Sequence, residues 1–211
     1  MPLRWDCCNG WQTSENTSDP SFLTMPYTVL DPNTALIVVD LQKGIVGSHI
    51  IPSLATVVER SCALLQAFRK YGLPVVLVNV AGVAPGRTER LRPNVALSAG
   101  WTDFISELDP QPSDIVITKR TWGAFTHTTL EAQLNALGVT QVVIAGVATG
   151  TGVESTARQA YELGFNVSLV LDAMTDVRAE AHDYSIKNVF PRLGETGIAE
   201  DIIDLLGTRS V

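Results

Sequence analysis

The stretch QVVIAGVATGTGVESTARQA, residues 141–160, decides the fold class of this chain and the place of its candidate site. Residues 141–145 are largely apolar and β-branched, which is typical of a strand buried on both faces. From Gly152 onward the apolar spacing becomes helical. The glycine- and threonine-rich turn 146–151 between them would direct backbone N–H groups to the positive end of a helix dipole. Such a point can bind an anion or a developing oxyanion.

A simpler interpretation makes this stretch an ordinary strand-to-helix turn, with Thr149 or Thr151 as the N-cap. Two further strand ends favour a functional interpretation. The run TALIVVD ends at Asp40, and the run DIVITK ends at Lys119. Because the carboxyl ends of parallel strands share one edge of a sheet, an acid, an amine and the turn would meet there.

Strand and helix patterns alternate from residue 34 to the end of the chain, which predicts a three-layer α/β sandwich with a mostly parallel, Rossmann-like sheet of six strands. The predicted strands are 34–40, 74–80, 114–118, 141–145, 166–171 and a short one near Gly197. The predicted helices are about 53–70, 128–137, 152–163, 178–190 and 200–206. We interpret residues 27–211 as one domain and residues 1–26 as a polar arm without periodicity.

Composition restricts the class of partner. A formal net charge of −7 without a basic block argues against nucleic acid and anionic membrane surfaces as the main partner. The partner that we expect is a small-molecule substrate. No apolar run has the length of a membrane span, and the N-terminus lacks the layout of a signal peptide. The cysteines, Cys7, Cys8 and Cys62, have neither disulfide-framework nor zinc-site spacing, so we expect a cytoplasmic protein.

Four motifs resemble those of the isochorismatase-like hydrolases in order and spacing. They are D-x-Q at Asp40 and Gln42, KRTWGAFTHTTL at 119–130, G-V-A-T-x-x-x-V-x-x-T-A at 146–157, and G-x-x-V-x-x-V-x-D-A at 164–173. The likeness runs from about Ala35 to the C-terminus. It implies the isochorismatase-like fold and a catalytic triad of Asp, Lys and Cys. This chain has Gly152 where that family has the Cys.

The missing thiol changes the chemistry that the resemblance implies. Members with the thiol attack an amide or similar carbonyl, whereas the true isochorismatases also carry Gly there and cleave a vinyl ether with the Asp as general acid. We therefore expect Asp40, Lys119 and Gly152 to form the catalytic centre. The sequence leaves the pKa of Asp40 open, because burial raises it and Lys119 lowers it.

Candidate substrate contacts come from the strand ends and from a long loop at 81–109, which exceeds the usual length of a structureless connection. This loop carries Arg87, Arg90 and Arg92; each could be solvated, or one could pair with a substrate carboxylate. His127, where the second predicted helix begins, could be a base or a residue of the cap region. The predicted substrate-binding residues are Gln42, Arg87, Trp122, Val147, Ala148 and Thr151.

Two alternatives stay open at this stage. The chain could be a C–N hydrolase with another nucleophile, for which Thr151 is the candidate, or a catalytically silent binding protein. The nicotinamidase branch of the family binds zinc through an Asp and two His after the first strand, but here only His49 follows Asp40, so we predict no metal and no cofactor. The resemblance also implies a homodimer or homotetramer.

Overall fold

The computed structural model describes residues 27–47, 53–89 and 97–209. The predicted arm 1–26 lies outside the described residues, as do Arg90, Arg92 and His49. The strands are β1 (Thr34–Val39), β2 (Val75–Val80), β3 (Ile115–Lys119), β4 (Gln141–Val147), β5 (Asn166–Thr175) and β6 (Glu195–Gly197). The α-helices are α1 (Lys43–Val46), α2 (Leu54–Lys70), α3 (Leu130–Ala136), α4 (Glu154–Glu162), α5 (Ala179–Tyr184) and α6 (Ala199–Gly207).

The six strands form one sheet in the order β3-β2-β1-β4-β5-β6, and every neighbouring pair is parallel. This confirms the predicted fold class. Helices α3 and α4 bury side chains against one face of the sheet, and α2 and α6 against the other. The protein is therefore a three-layer sandwich with an apolar core on each side of the sheet.

Strand β1 is the centre of this arrangement, because all six of its residues are buried. It pairs with β2 on one side and with β4 on the other. The chain order thus reverses at β1. In open parallel sheets ligands bind beyond the carboxyl ends of the strands at such a point, and the region beyond the ends of β1 and β4 is called the crevice. Asp40 follows β1 directly, and the turn after β4 faces the same crevice.

The structure differs from the predicted elements at the ends of β4 and β5 and in the segments near the crevice. Helix α1 was not predicted, because its four residues are too few for a periodic pattern. The predicted helix 152–163 begins with a π-helical turn at Thr149–Val153. The predicted helix 178–190 is α5 followed by a π-helical segment, Ser185–Val189, and a 3₁₀ turn that contains Pro191, a residue without an N–H to donate. No helix among the described residues is long and apolar enough to cross a membrane.

Candidate active site

Asp40 and Lys119 form a buried ion pair at the crevice. The Lys119 Nζ lies 2.7 Å from Asp40 Oδ2, and both side chains are almost fully buried. Lys119 Nζ also donates to the carbonyl oxygen of Trp122 at 2.8 Å. The structure thus brings together the ends of β1 and β3, as the parallel topology requires.

Asp40 has an unusual backbone and an unusual carboxyl group. Its φ of +54° lies in the left-handed region, which Asp tolerates better than most residues and which is common at functional sites. Its Oδ1 is buried and has no hydrogen-bond partner among the described residues. Burial raises the pKa of the Asp40 carboxyl from its ordinary value of 3.8 to about 6, although the charge and hydrogen bond of Lys119 oppose this shift. Burial therefore has a larger effect on the pKa of Asp40 than Lys119 has, which the sequence alone could not decide.

Gly152 lies next to this carboxyl. A Cβ on Gly152 would sit 3.0 Å from Asp40 Oδ2, 3.1 Å from the Val147 carbonyl oxygen and 3.1 Å from Val39 Cγ1. These contacts are tight, so even a methyl group would press on the carboxylate. The absence of a side chain at residue 152 keeps the space beside Asp40 open.

Gly146 allows β4 to approach β1 closely where the site begins. Its φ is +113°, and a Cβ there would overlap the backbone of Val39. The peptide bond between Val147 and Ala148 is cis. Val147 is buried, whereas Ala148 and Thr151 are partly exposed.

The turn after β4 uses much of its hydrogen-bonding capacity internally. The N–H groups of Thr151 and Val153 both donate to the Ala148 carbonyl oxygen, at 3.0 and 3.2 Å. The N–H of Gly150 donates to Asp176 Oδ2 at 2.9 Å. These three groups are not free for a bound anion, which corrects the expectation of a turn with several unpaired N–H groups.

Sequence reasoning missed a pair of side chains that holds this turn. Thr149 is fully buried, and its Oγ1 lies 2.8 Å from Nδ1 of His182 on α5. The two residues are 33 positions apart, and His182 belongs to none of the recognised motifs. No spacing in the sequence could have paired them.

The segment that follows Lys119 is fixed to α4. The N–H of Ala124 donates to Thr156 Oγ1, and the N–H of Phe125 donates to Gln159 Oε1. Thr156 Oγ1 in turn donates to the Gly152 carbonyl oxygen at 2.7 Å. The Lys119 segment and the glycine turn are therefore linked through one helix.

Gln42 has a structural position instead of the predicted contact with substrate. Its side chain is fully buried; Nε2 donates to the carbonyl oxygens of Val80 and Trp101, and Oε1 accepts from the N–H of Val80. Trp101 packs its ring on the backbone of Gly44 in α1. Gln42 thus fastens the end of the long loop to β2, and its amide is occupied by main-chain groups.

The remaining predicted contacts lie on the surface around the crevice. Trp122 is 65% exposed, while its carbonyl oxygen holds Lys119. Arg87 is exposed in the loop after β2 and belongs to no ion pair among the described residues. Arg120, which the sequence did not single out, lies over Gly82 of the same loop, and its Nη1 donates to the Ala81 carbonyl oxygen. His127 is exposed in a turn with a φ of +56°.

No group of three or more His, Cys, Asp or Glu side chains with metal-site geometry occurs within the described ranges. A cavity of about 630 Å³ lies at the amino ends of β2 and β3, between Leu73, Ile115 and Leu137. It is at the opposite end of the strands from Asp40. This cavity is therefore separate from the site that contains Asp40 and Lys119.

Known proteins share this fold and sequence pattern. Residues 34–201 match the model of the isochorismatase domain. An uncharacterized isochorismatase family protein of Escherichia coli O157:H7, YecD, is 41% identical over 82% of this chain and 96% of its own length. The ureidoacrylate amidohydrolase RutB of Variovorax paradoxus is 28% identical over 84% of this chain and 83% of its own length. The structure of an isochorismatase family protein from Burkholderia thailandensis superposes with a TM-score of 0.81 and 38% identity, covering 87% of this chain and 99% of that one.

Proposed function

The chain belongs to the isochorismatase-like hydrolase family, and from this premise we propose that it hydrolyses a small anionic substrate by acid catalysis from Asp40. The observation that carries the proposal is the Asp40 carboxyl, whose burial beside Gly152 raises its pKa to about 6. A carboxyl with that pKa is about one-tenth protonated at pH 7, which provides an acid near neutral pH. No side chain at residue 152 supplies a nucleophile, so the mechanism proceeds without a covalent enzyme intermediate.

The substrate that we propose to test first is the vinyl ether isochorismate. Asp40 donates its proton to the terminal carbon of the enol ether, which gives an oxocarbenium ion. Water adds to the cationic carbon and returns a proton to the Asp40 carboxylate. The resulting hemiketal collapses to pyruvate and 2,3-dihydroxy-2,3-dihydrobenzoate, so the enzyme regains its acid form.

Lys119 stabilises the form of Asp40 that has lost its proton. Its ammonium group lies 2.7 Å from Oδ2, so it forms an ion pair with the carboxylate that remains after Asp40 has given up its proton. Lys119 therefore lowers the pKa of Asp40 and makes it a stronger acid, while burial keeps that pKa within reach of neutral pH. The two effects together adjust the acid to its working range.

Positive charge around the crevice supports an anionic substrate. Arg87 and Arg120 are both exposed, on the loops that follow β2 and β3, and neither pairs with a carboxylate among the described residues. A guanidinium group can hold a substrate carboxylate through two parallel hydrogen bonds. The exposed ring of Trp122 offers a flat surface for an unsaturated ring.

The first experiment measures pyruvate release from isochorismate by the wild type and by Asp40→Asn. Asn keeps an oxygen that can accept the Lys119 hydrogen bond, so the variant should remain folded and lose at least 1,000-fold in kcat, roughly the upper part of the effect of removing a general acid. Circular dichroism and thermal melting provide the check on folding. Full activity in a folded Asp40→Asn variant would overturn the role of Asp40.

Amide hydrolysis is the second candidate, and the relationship to a ureidoacrylate amidohydrolase favours it. The nucleophile would be Thr151, which is partly exposed and whose Oγ1 lies 3.5 Å from the Ala148 carbonyl oxygen, too long for a strong hydrogen bond. This route predicts an acyl-enzyme of raised intact mass with a slow amide substrate, lost in Thr151→Val. Absence of the adduct, together with pyruvate release, would decide for acid catalysis.

A further inference from the structure

Helix α5 reaches the glycine turn through polar contacts. None of its six residues is fully buried, so α5 contributes little to either apolar core. Its His182 meets Thr149, and Ser185, directly after it, donates to Glu154 at 2.6 Å. The neighbouring Asp176 accepts from the N–H of Gly150. The contacts of α5 therefore go to the turn and to the first residue of α4.

The Thr149 hydroxyl depends on His182. Thr149 is 0% exposed, and a buried hydroxyl without a partner costs free energy, so it must be hydrogen-bonded. The described structure gives it Nδ1 of His182. This hydrogen bond orients Thr149. Thr149 directly follows Ala148, whose carbonyl oxygen accepts the N–H groups of Thr151 and Val153.

The same turn determines where Gly152 lies relative to Asp40. Thr151 and Val153, on either side of Gly152, both donate to the Ala148 carbonyl oxygen. A displacement of Thr149 would move Ala148 and, with it, the open space beside Asp40 Oδ2. Misplacement of a reacting group by about 1 Å can cost two orders of magnitude in rate.

We propose that His182 is a positioning residue, which acts through Thr149 to hold the glycine turn in register with the Asp40 carboxyl. This inference rests on the proposed function for its kinetic consequences. It assigns no contact with substrate to either residue. Either tautomer of His182 can serve, because the Thr149 hydroxyl can donate to Nδ1 or accept from it.

The test is a double-mutant cycle between Thr149→Val and His182→Ala, assayed by pyruvate release. Val preserves the shape of Thr and removes the hydroxyl. We expect each single variant to lower kcat by about 10-fold or more, with KM within 2-fold of the wild type, because the peripheral substrate contacts are unchanged. The double variant should be no worse than the poorer single variant.

Two conservative variants separate positioning from simple loss of stability. Thr149→Ser keeps the hydroxyl, and His182→Asn keeps a hydrogen-bonding group near the position of Nδ1. Both should retain kcat within about 3-fold of the wild type. Wild-type kcat in Thr149→Val and His182→Ala, or losses that multiply in the double variant, would overturn the inference.

Hydrogen exchange keeps this test independent of the substrate. If the wild type releases no pyruvate, the proposed function fails, and the exchange of the Gly146–Val153 amides decides about the inference alone. Faster exchange in Thr149→Val and His182→Ala, with no further increase in the double variant and wild-type rates in His182→Asn, supports it. Unchanged exchange in both single variants overturns it.

Discussion

The two carboxylate oxygens of Asp40 have different surroundings, and the difference matters at the scale of one residue. Oδ2 is held by Lys119, whereas Oδ1 is buried without a hydrogen-bond partner among the described residues. A buried, unpaired carboxylate oxygen is costly, and protonation relieves that cost. The proton is therefore expected on Oδ1, while Oδ2 stays with the ammonium group.

The pH dependence of the reaction follows from this carboxyl. If protonated Asp40 is the acid, kcat/KM should be highest below pH 6 and fall about tenfold per pH unit above it, since the pKa is about 6. Removal of the ammonium group in Lys119→Met should move the descending limb to higher pH, because Lys119 lowers the pKa of Asp40. A rate that instead rises through pH 6 would identify Asp40 as a base and favour amide hydrolysis.

Gly152→Ala tests the need for open space beside the acid. The added methyl would lie 3.0 Å from Asp40 Oδ2, so we expect kcat/KM to fall by about 10- to 100-fold. The φ of Gly152 lies outside the left-handed region, and the variant should fold. Gly207→Ala, at the end of α6 where a Cβ meets only the Tyr71 hydroxyl at 4.0 Å, is the matched control and should keep full activity. Unchanged kinetics in Gly152→Ala would show that the space is not used.

At the scale of elements, the walls of the crevice are attached to one another by buried polar side chains. Gln42 joins the end of β1 to β2 and to the segment around Trp101. Asn79 on β2 donates to the Thr102 carbonyl oxygen of the same segment. The long loop is thus anchored at its return to the sheet.

Replacement of Gln42 by Leu removes three hydrogen bonds and leaves partly buried main-chain groups of Val80 and Trp101 without these partners. We expect a loss of about 2–4 kcal/mol in the free energy of unfolding, measured by urea denaturation. Gln133→Leu is the control, since Gln133 makes one exposed side-chain bond, to Thr129, and should change stability by less than about 0.5 kcal/mol. Equal stability of the two variants would contradict the anchoring role of Gln42.

The elements that the sequence predicted are those with a local signal. The apolar runs before Asp40 and Lys119 mark β1 and β3, and parallel topology then brings the two charges together. The π-helical turn has no such signal, because it depends on one carbonyl oxygen that accepts two N–H groups. The pairing of Thr149 with His182 and the main-chain bonds of Gln42 arise only from the tertiary fold. The positions of Asp40 and Lys119 could therefore be predicted from the sequence. The hydrogen bonds that hold the surrounding segments in place could not.

At the scale of the whole molecule, the buried acid is linked to global stability. The native state binds the Asp40 proton more tightly than the unfolded state, because the pKa is about 6 in the fold and 3.8 ordinarily. This contribution is fully present below pH 4, is lost as the pH rises through 6, and amounts to about 3 kcal/mol.

The linkage can be measured against Asp40→Asn, which lacks the titrating group. The free energy of unfolding of the wild type relative to this variant should decrease by about 2 kcal/mol between pH 4 and pH 7, because the unfolded carboxyl is already partly ionised at pH 4. Urea denaturation at several pH values gives the difference, and the subtraction removes the titration of all other groups. A relative stability independent of pH would mean that Asp40 ionises normally in the fold.

The glycine beside the acid also bears on how such enzymes can diversify. Some glycine codons become cysteine codons by one base change. The φ of Gly152 lies outside the left-handed region, so the backbone conformation suits a cysteine, whose Cβ would lie close to Asp40 Oδ2. A thiol introduced there would stand next to a carboxyl able to take its proton, so Gly152→Cys should become alkylated at residue 152 by iodoacetamide and gain trace amide hydrolysis. One nucleotide would then separate two reaction classes on the same scaffold.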